Sequence, residues 1–208
     1  MIIEHLVVGP LQSNCFIVGD EGTGEAVVID PGGDGEIIAA AVKRRPWNVT
    51  AILNTHAHFD HIAANSLLIK ETGAPLLVPR GDAPFLAQAH LSARLYGLLV
   101  DPSPAPDRIL DEGDVVKVGS HEIRVLLTPG HSPGGATFVT SGGIFPGDAL
   151  FAGSIGRTDL PGGDYQTLID SIMEKIMALP DDTVVYPGHG PATTVGRERM
   201  LNPFLQGY

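Results

Sequence analysis

A single cysteine, Cys15, is the only thiol in this chain of 208 residues. One thiol cannot form an internal disulfide or a thiolate-rich structural zinc cluster. Its neighbours Phe16, Ile17 and Val18 mark it as a buried strand thiol rather than a nucleophile. Basic residues are also scarce: 13 Lys and Arg against 24 Asp and Glu leave a formal charge of −11. Nucleic-acid phosphates call for basic surface, so this balance argues against nucleic acid as the main partner, and none is expected. An anionic small molecule is not excluded, because bound cations can dominate a local field. No apolar run approaches the ~20 residues of a membrane span, and no membrane partner is expected. Met1 to Leu11 shows no basic run leading into a long apolar stretch, so the expected location is the cytoplasm. Charged residues make up only 18%, beside 43% hydrophobic residues, which argues against wholesale disorder. The length suits one domain spanning 1–208.

What the chain does have is histidine in one place. Thr55-His56-Ala57-His58-Phe59-Asp60-His61 puts three imidazoles and a carboxylate within a few positions. Packing alone does not call for such a density of costly polar groups, whereas His nitrogen and carboxylate oxygen suit zinc and similar divalent ions. Thr50–Asn54 reads as a short buried strand, so these side chains sit where a strand ends. In extended chain, side chains two apart point the same way, and His56 and His58 can converge on one ion. Asp60 and His61 fall at the entry of a helix expected from His61 to Thr72, aimed at a neighbouring position. One short loop can thus feed two metals.

Periodicity gives the organisation. Strands are expected at Ile2–Val8, Asn14–Gly19 and Ala26–Asp30, then a turn at Asp30–Asp34 and a helix at Gly35–Arg45 with Ile37, Ile38, Ala41 and Val42 on one face. Leu76–Val78 is a further strand. Apolar residues recur at helical spacing from Asp82 to Leu99, and the Pro-rich stretch Asp101–Pro106 is a stiff connector. Strands follow at Arg108–Leu110, Val115–Val118, Glu122–Leu127, Ala136–Val139 and Ile144–Phe145, then a helix Tyr165–Leu179, a strand Thr183–Tyr186 and a helix near Val195–Leu201. Two successive sets of strands then helices suggest two sheets face to face with helices outside. Three more polar residues share a strand-end, glycine-rich setting: His131, Asp148 and His189. His5, His90 and His121 lack that setting and are assigned no role.

His56-Ala57-His58-Phe59-Asp60-His61 followed by His131, Asp148 and His189 resembles the metallo-β-lactamase superfamily. The resemblance covers nearly the whole chain and implies an α/β fold, a four-layer αββα sandwich with the metal site at one edge of the sheets. It implies that His56, His58 and His131 hold one ion, that Asp60, His61 and His189 hold a second, and that Asp148 bridges them. The cofactor expectation is two divalent ions, Zn2+ first, with iron and manganese accepting the same ligands. Asp30 matches a position that orients the site; capping its own turn is the alternative.

Within the superfamily the chain is similar to glyoxalase II (hydroxyacylglutathione hydrolases), in particular short bacterial forms without the C-terminal glutathione-binding domain. Gly153–Asp159, Tyr186–Pro191 and Leu201-Asn202-Pro203-Phe204 carry that similarity. It implies a metal-dependent hydrolase that cleaves a thioester such as S-lactoylglutathione, with a metal-bridging hydroxide as nucleophile and Asp60 as the catalytic carboxylate that aims it. Arg157 matches a basic position that contacts glutathione, so it is a candidate for binding a substrate carboxylate; a surface salt bridge is the alternative. Two tyrosines that hold glutathione in longer members correspond to Asp159 and Pro191, so the resemblance carries the reaction type further than the thiol carrier. The expected partner is a small thioester, glutathione-linked or not, and oligomeric state is left open. Phe85, Leu95 and Tyr96 either line the substrate wall or pack in the core. A thiolate with pKa near ~8.5 leaves without a proton donor, whereas an amine needs one, and no donor motif is evident. The rival is an oxidoreductase, a persulfide dioxygenase with one iron on His56, His131 and Asp148. A non-catalytic metal-binding protein and a ribonuclease Z-type nuclease are the weaker alternatives.

Overall fold

A computed structural model describes residues 1–207. The first sheet takes β1 (Ile2–Val8), β2 (Ser13–Asp20), β3 (Glu25–Ile29), β4 (Asn48–Leu53), β5 (Leu76–Pro79) and β6 (Arg108–Leu110), hydrogen-bonded in that order. The second contains β7 (Val115–Val118), β8 (His121–Leu127), β9 (Ala136–Thr140), β10 (Gly143–Gly147) and, beyond a small hairpin of β11 (Leu150–Phe151) and β12 (Ser154–Ile155), β13 (Val184–Pro187) and β14 (Thr193–Thr194). Its order is β14-β13-β10-β9-β8-β7.

The sequence explains which strands lie inside. Every residue of β2 is buried, as a strand covered on both faces requires. Phe16, Val18, Val27, Ile29 and Leu53 from the first sheet meet Val118, Ile123, Val125, Phe138 and Phe145 from the second in one apolar cluster. That shared core packs the two sheets face to face.

Helices cover the outer faces. On the first sheet lie α1 (Gly35–Arg44), α2 (Phe59–Ile62), α3 (Asn65–Thr72) and α4 (Leu86–Leu95), burying Ile38, Val42, Phe59, Leu68 and Leu86 against Val28 and Ile52. On the second lie α5 (Tyr165–Ser171), which runs on as a π turn at Ile172–Ile176, and α6 (Val195–Leu201). Asp164 and Thr194 cap α5 and α6, each accepting a hydrogen bond from the N–H three residues on. The architecture is αββα, as expected.

Several local expectations are corrected. The helix expected over His61–Thr72 is two, α2 and α3, interrupted at Ala63 and Ala64. Ile37 is 58% exposed and Ala39 is buried in its place, because at ~100° per residue a face centred on Ile38 and Val42 takes in Ala39 and Ala41 and leaves Ile37 beyond its edge. Core packing does not extend to Leu95 and Tyr96 at the end of α4, which are 87% and 51% exposed. No helix among the described residues is long and apolar enough to cross a membrane.

Candidate metal centre

The candidate residues arrive from four strand ends. His56, His58, Asp60 and His61 follow β4, His131 follows β8, Asp148 follows β10 and His189 follows β13. One nitrogen from each of His56, His58 and His131 lies within 4.8 Å of the others, and the ligand atoms of Asp60, His61 and His189 form a second set by the same measure. Asp148 stands between the sets. Its Oδ1 is 3.4 Å from His61 Nε2, and its Oδ2 is 3.6 Å from both His131 Nε2 and His189 Nε2.

Backbone and buried side chains aim these groups. His131 Nδ1–H donates to the Arg157 carbonyl at 2.7 Å, which turns Nε2 toward the site. Asp30 directly follows β3 at φ +49° and accepts from Thr55 N–H at 2.7 Å, Thr55 Oγ1–H at 2.6 Å and His61 Nδ1–H at 3.2 Å. It therefore orients His61 and does more than cap its turn. Ser13 Oγ–H donates to Asp60 Oδ2 at 3.2 Å. Asn14 holds the His189 turn through Pro187 O and Gly190 O, each at 2.9 Å, while its N–H takes Gly188 O. A Cβ at Gly188 would collide with Asp148 Oδ1 and His61 Cε1, so only glycine lets this turn close over the site.

Asp82 is the functional neighbour that motif reading missed. It is buried beside the site and accepts from Ala57 N–H at 2.7 Å through Oδ2 and from Gly134 N–H at 2.6 Å through Oδ1. Ala57 lies between His56 and His58, and Gly134 lies three residues after His131, so one carboxylate ties together the loops of the first set. Burial raises its pKa, against the pull of those two N–H donors. The available signal was its setting, an Asp after glycine at the end of β5, as with Asp148 after β10.

Charge divides the two sets. Burial and the His131 imidazole lower the His58 pKa to about 4, and burial with His61 lowers that of His56. Burial also disfavours charge on His61 and His189, but Asp60 and Asp148 outweigh it and raise both. Burial disfavours ionisation of Asp60 and Asp148, and His61 beside each outweighs it, holding both below the usual carboxylate range.

The donor set fits divalent cations. His56 Nε2 and Asp148 Oδ1 are buried without a hydrogen-bond partner, which is costly unless something else answers them. His58 Nδ1 and His131 Nε2 face each other at 2.9 Å, and His61 Nε2 and His189 Nε2 at 3.3 Å. Facing imidazole nitrogens with carboxylates and no thiolate are borderline-to-hard donors, suited to zinc, iron or manganese. The site borders a cavity of about 610 Å³, to which Arg157 also contributes. The Arg157 guanidinium is bidentate to Asp159, with Nε–Oδ1 at 2.7 Å and Nη2–Oδ2 at 2.8 Å. His5 bonds Asn14 Oδ1 and stacks on Phe16, away from the cluster.

The metallo-beta-lactamase superfamily model matches residues 8–189, which takes in every candidate ligand. The chain belongs to the metallo-beta-lactamase superfamily. Among its relatives are the probable metallo-hydrolase YqgX of Bacillus subtilis, 40% identical over 99% of this chain and 98% of that one, and the hydroxyacylglutathione hydrolase GloC of Haemophilus influenzae, 37% identical over 99% and 98%. Solved structures similar to it include the BLEG-1 B3 metallo-beta-lactamase (TM-score 0.93, 38% identity, 99% of this chain and 100% of that one). The di-iron-bound form of TTHA1623 matches with TM-score 0.90 and 41% identity over 97% and 100%. ETHE1 from Myxococcus xanthus matches with TM-score 0.79 and 30% identity over 98% and 84%. The superfamily and the His and Asp groups make this a candidate metallohydrolase centre, and a di-iron relative leaves zinc as one of several metals the site suits.

Proposed function

We propose that the chain is a binuclear metallohydrolase that cleaves thioesters, with S-lactoylglutathione as the candidate substrate. The observation that carries this reading is the pair of three-residue donor sets with Asp148 between them, at the edge of a substrate-sized cavity. His56, His58 and His131 would hold one ion, Asp60, His61 and His189 the second, and Asp148 would contact both. Bound there, two divalent ions supply Lewis acidity and a hydroxide from water at neutral pH.

The chain's own groups do the rest. Asp60 is held ionised by His61 and His189, so its carboxylate can accept a hydrogen bond from the attacking water and orient the lone pair toward the thioester carbonyl. Water oxygen adds to that carbon and the C–S bond breaks; one water proton ends on the departing sulfur to give the thiol, and the other is released to solvent as the acid leaves as its carboxylate. With a pKa near ~8.5 the thiolate departs without a protein acid. Arg157 would take a substrate carboxylate by exchanging it for Asp159. The pair is exposed and screened by solvent, so the exchange costs little.

The similarity to ETHE1 and the His56, His131 and Asp148 subset support a second reading, a one-iron oxidoreductase acting on persulfides. The separate Asp60, His61 and His189 set favours two ions. Metal-loaded protein given S-lactoylglutathione should release one thiol per acid formed and consume no oxygen with glutathione persulfide. Oxygen uptake without thioester cleavage would reverse the choice.

A further inference from the structure

The lining of the cavity is uneven. The donor side chains lie at one end, and Leu11, Phe85, Ala89, Leu95, Tyr96 and Leu160 give a mainly apolar wall, broken on α4 by Gln88 and Ser92. Of these, Leu95, Tyr96 and Phe85 are 87%, 51% and 42% exposed, and each belongs to α4, its 3-10 entry turn or its C-cap. Single exposed leucines are ordinary on a protein surface. Several large apolar side chains bordering one cavity beside a polar centre mark a ligand surface. The wall is continuous with the site, because Tyr96 packs on Phe59 at 5.4 Å between centroids and Phe59 directly precedes Asp60.

Charge is as uneven as polarity. Among the described residues, Arg157 is the sole Lys or Arg lining the cavity, and Asp159 already neutralises it. Lactoyl is short and hydroxylated, and would leave this wall bare. Resting on the thioester reading, we infer that the substrate carries an uncharged apolar acyl chain, several carbons longer than a lactoyl group, laid along α4. Hydrolysis of its thioester is the same water addition and C–S cleavage as above, releasing an aliphatic acid.

Uncleavable S-alkyl-N-acetylcysteamine thioethers, methyl to octyl, test the wall without relying on turnover. A half-covered methylene contributes about twofold in affinity, so Kd for the metal-loaded protein should tighten about 100-fold from methyl to octyl. The matching S-acyl thioesters, with S-lactoyl as the polar reference, should show kcat/KM rising with chain length and octanoyl exceeding lactoyl. Leu95→Asp should cut the octyl-to-methyl affinity ratio by about tenfold. A flat thioether series, or lactoyl hydrolysed faster than octanoyl on the same carrier, overturns the inference. Chain-dependent binding with no thioester cleaved would sink the thioester reading while upholding the apolar subsite.

Discussion

Replacing Asp82 by alanine should loosen the first ligand set and lower stability together. The substitution leaves the N–H groups of Ala57 and Gly134 buried without the carboxylate that accepts them at 2.7 and 2.6 Å. Each orphaned donor costs about 1–3 kcal/mol, giving about 2–6 kcal/mol in all. Removing a carboxylate whose burial already raises its pKa returns part of that, so about 2–4 kcal/mol is expected. In a chain of this size about 1 kcal/mol moves Tm by about 2–4 °C, which predicts a drop of about 4–16 °C in the metal-free protein. Asp82→Asn keeps the shape and one acceptor but turns an NH2 toward one of the donors, and should lose roughly half as much. Metal titration separates positioning from simple scaffolding. Affinity at the His56, His58 and His131 set should fall about tenfold to 100-fold, while the Asp60, His61 and His189 set is largely spared. A Tm within 2 °C of the parent, with both affinities intact, would refute the reasoning.

Asp60→Asn should cut thioester turnover by about 100-fold or more while circular dichroism stays unchanged, since it removes both a donor to the second ion and the carboxylate that orients the attacking water; turnover near the parent rate would remove Asp60 from the chemistry. Gly188→Ala should drive its Cβ into Asp148 and His61, and elemental analysis should find less metal retained; undiminished retention would show that the turn yields. In the metal-free protein, His58 and His56 have lowered pKa values, so the unfolded chain takes up protons the fold refuses, and stability falls as pH drops from 6.5 toward about 4. His61 and His189 have raised values, so their contribution is full below 6.5 and is lost as pH climbs through the folded values. Tm of chelator-treated protein should therefore peak near pH ~6.5, and a Tm rising steadily to pH ~8 would contradict these signs.

The candidate metal cluster was legible because its cost is visible in one dimension: packing does not account for His56, His58, Asp60 and His61 side by side. His131, Asp148 and His189 could be singled out by their glycine-rich strand ends, yet only the fold brings them beside the cluster. Asp82 sits in the same kind of setting but accepts backbone hydrogens, a role that leaves no spacing pattern. The α4 stripe shows the limit of periodicity. Helical spacing of Phe85, Leu86, Ala89 and Leu95 marks an apolar face without saying what covers it. Leu86 is buried in the core and Ala89 is buried at the cavity wall, whereas Phe85 and Leu95 border the cavity and are exposed. The β11–β12 hairpin and β14 went unread because two-residue strands carry no alternation to detect.

Metal content per chain, measured on purified protein and on the Asp60→Asn and His189→Ala variants, tests the central claim most directly. Two gathered donor sets predict about two equivalents in the parent and about one in each variant. One equivalent in all three proteins would mean that Asp60, His61 and His189 hold no ion, and the two-metal account would fail.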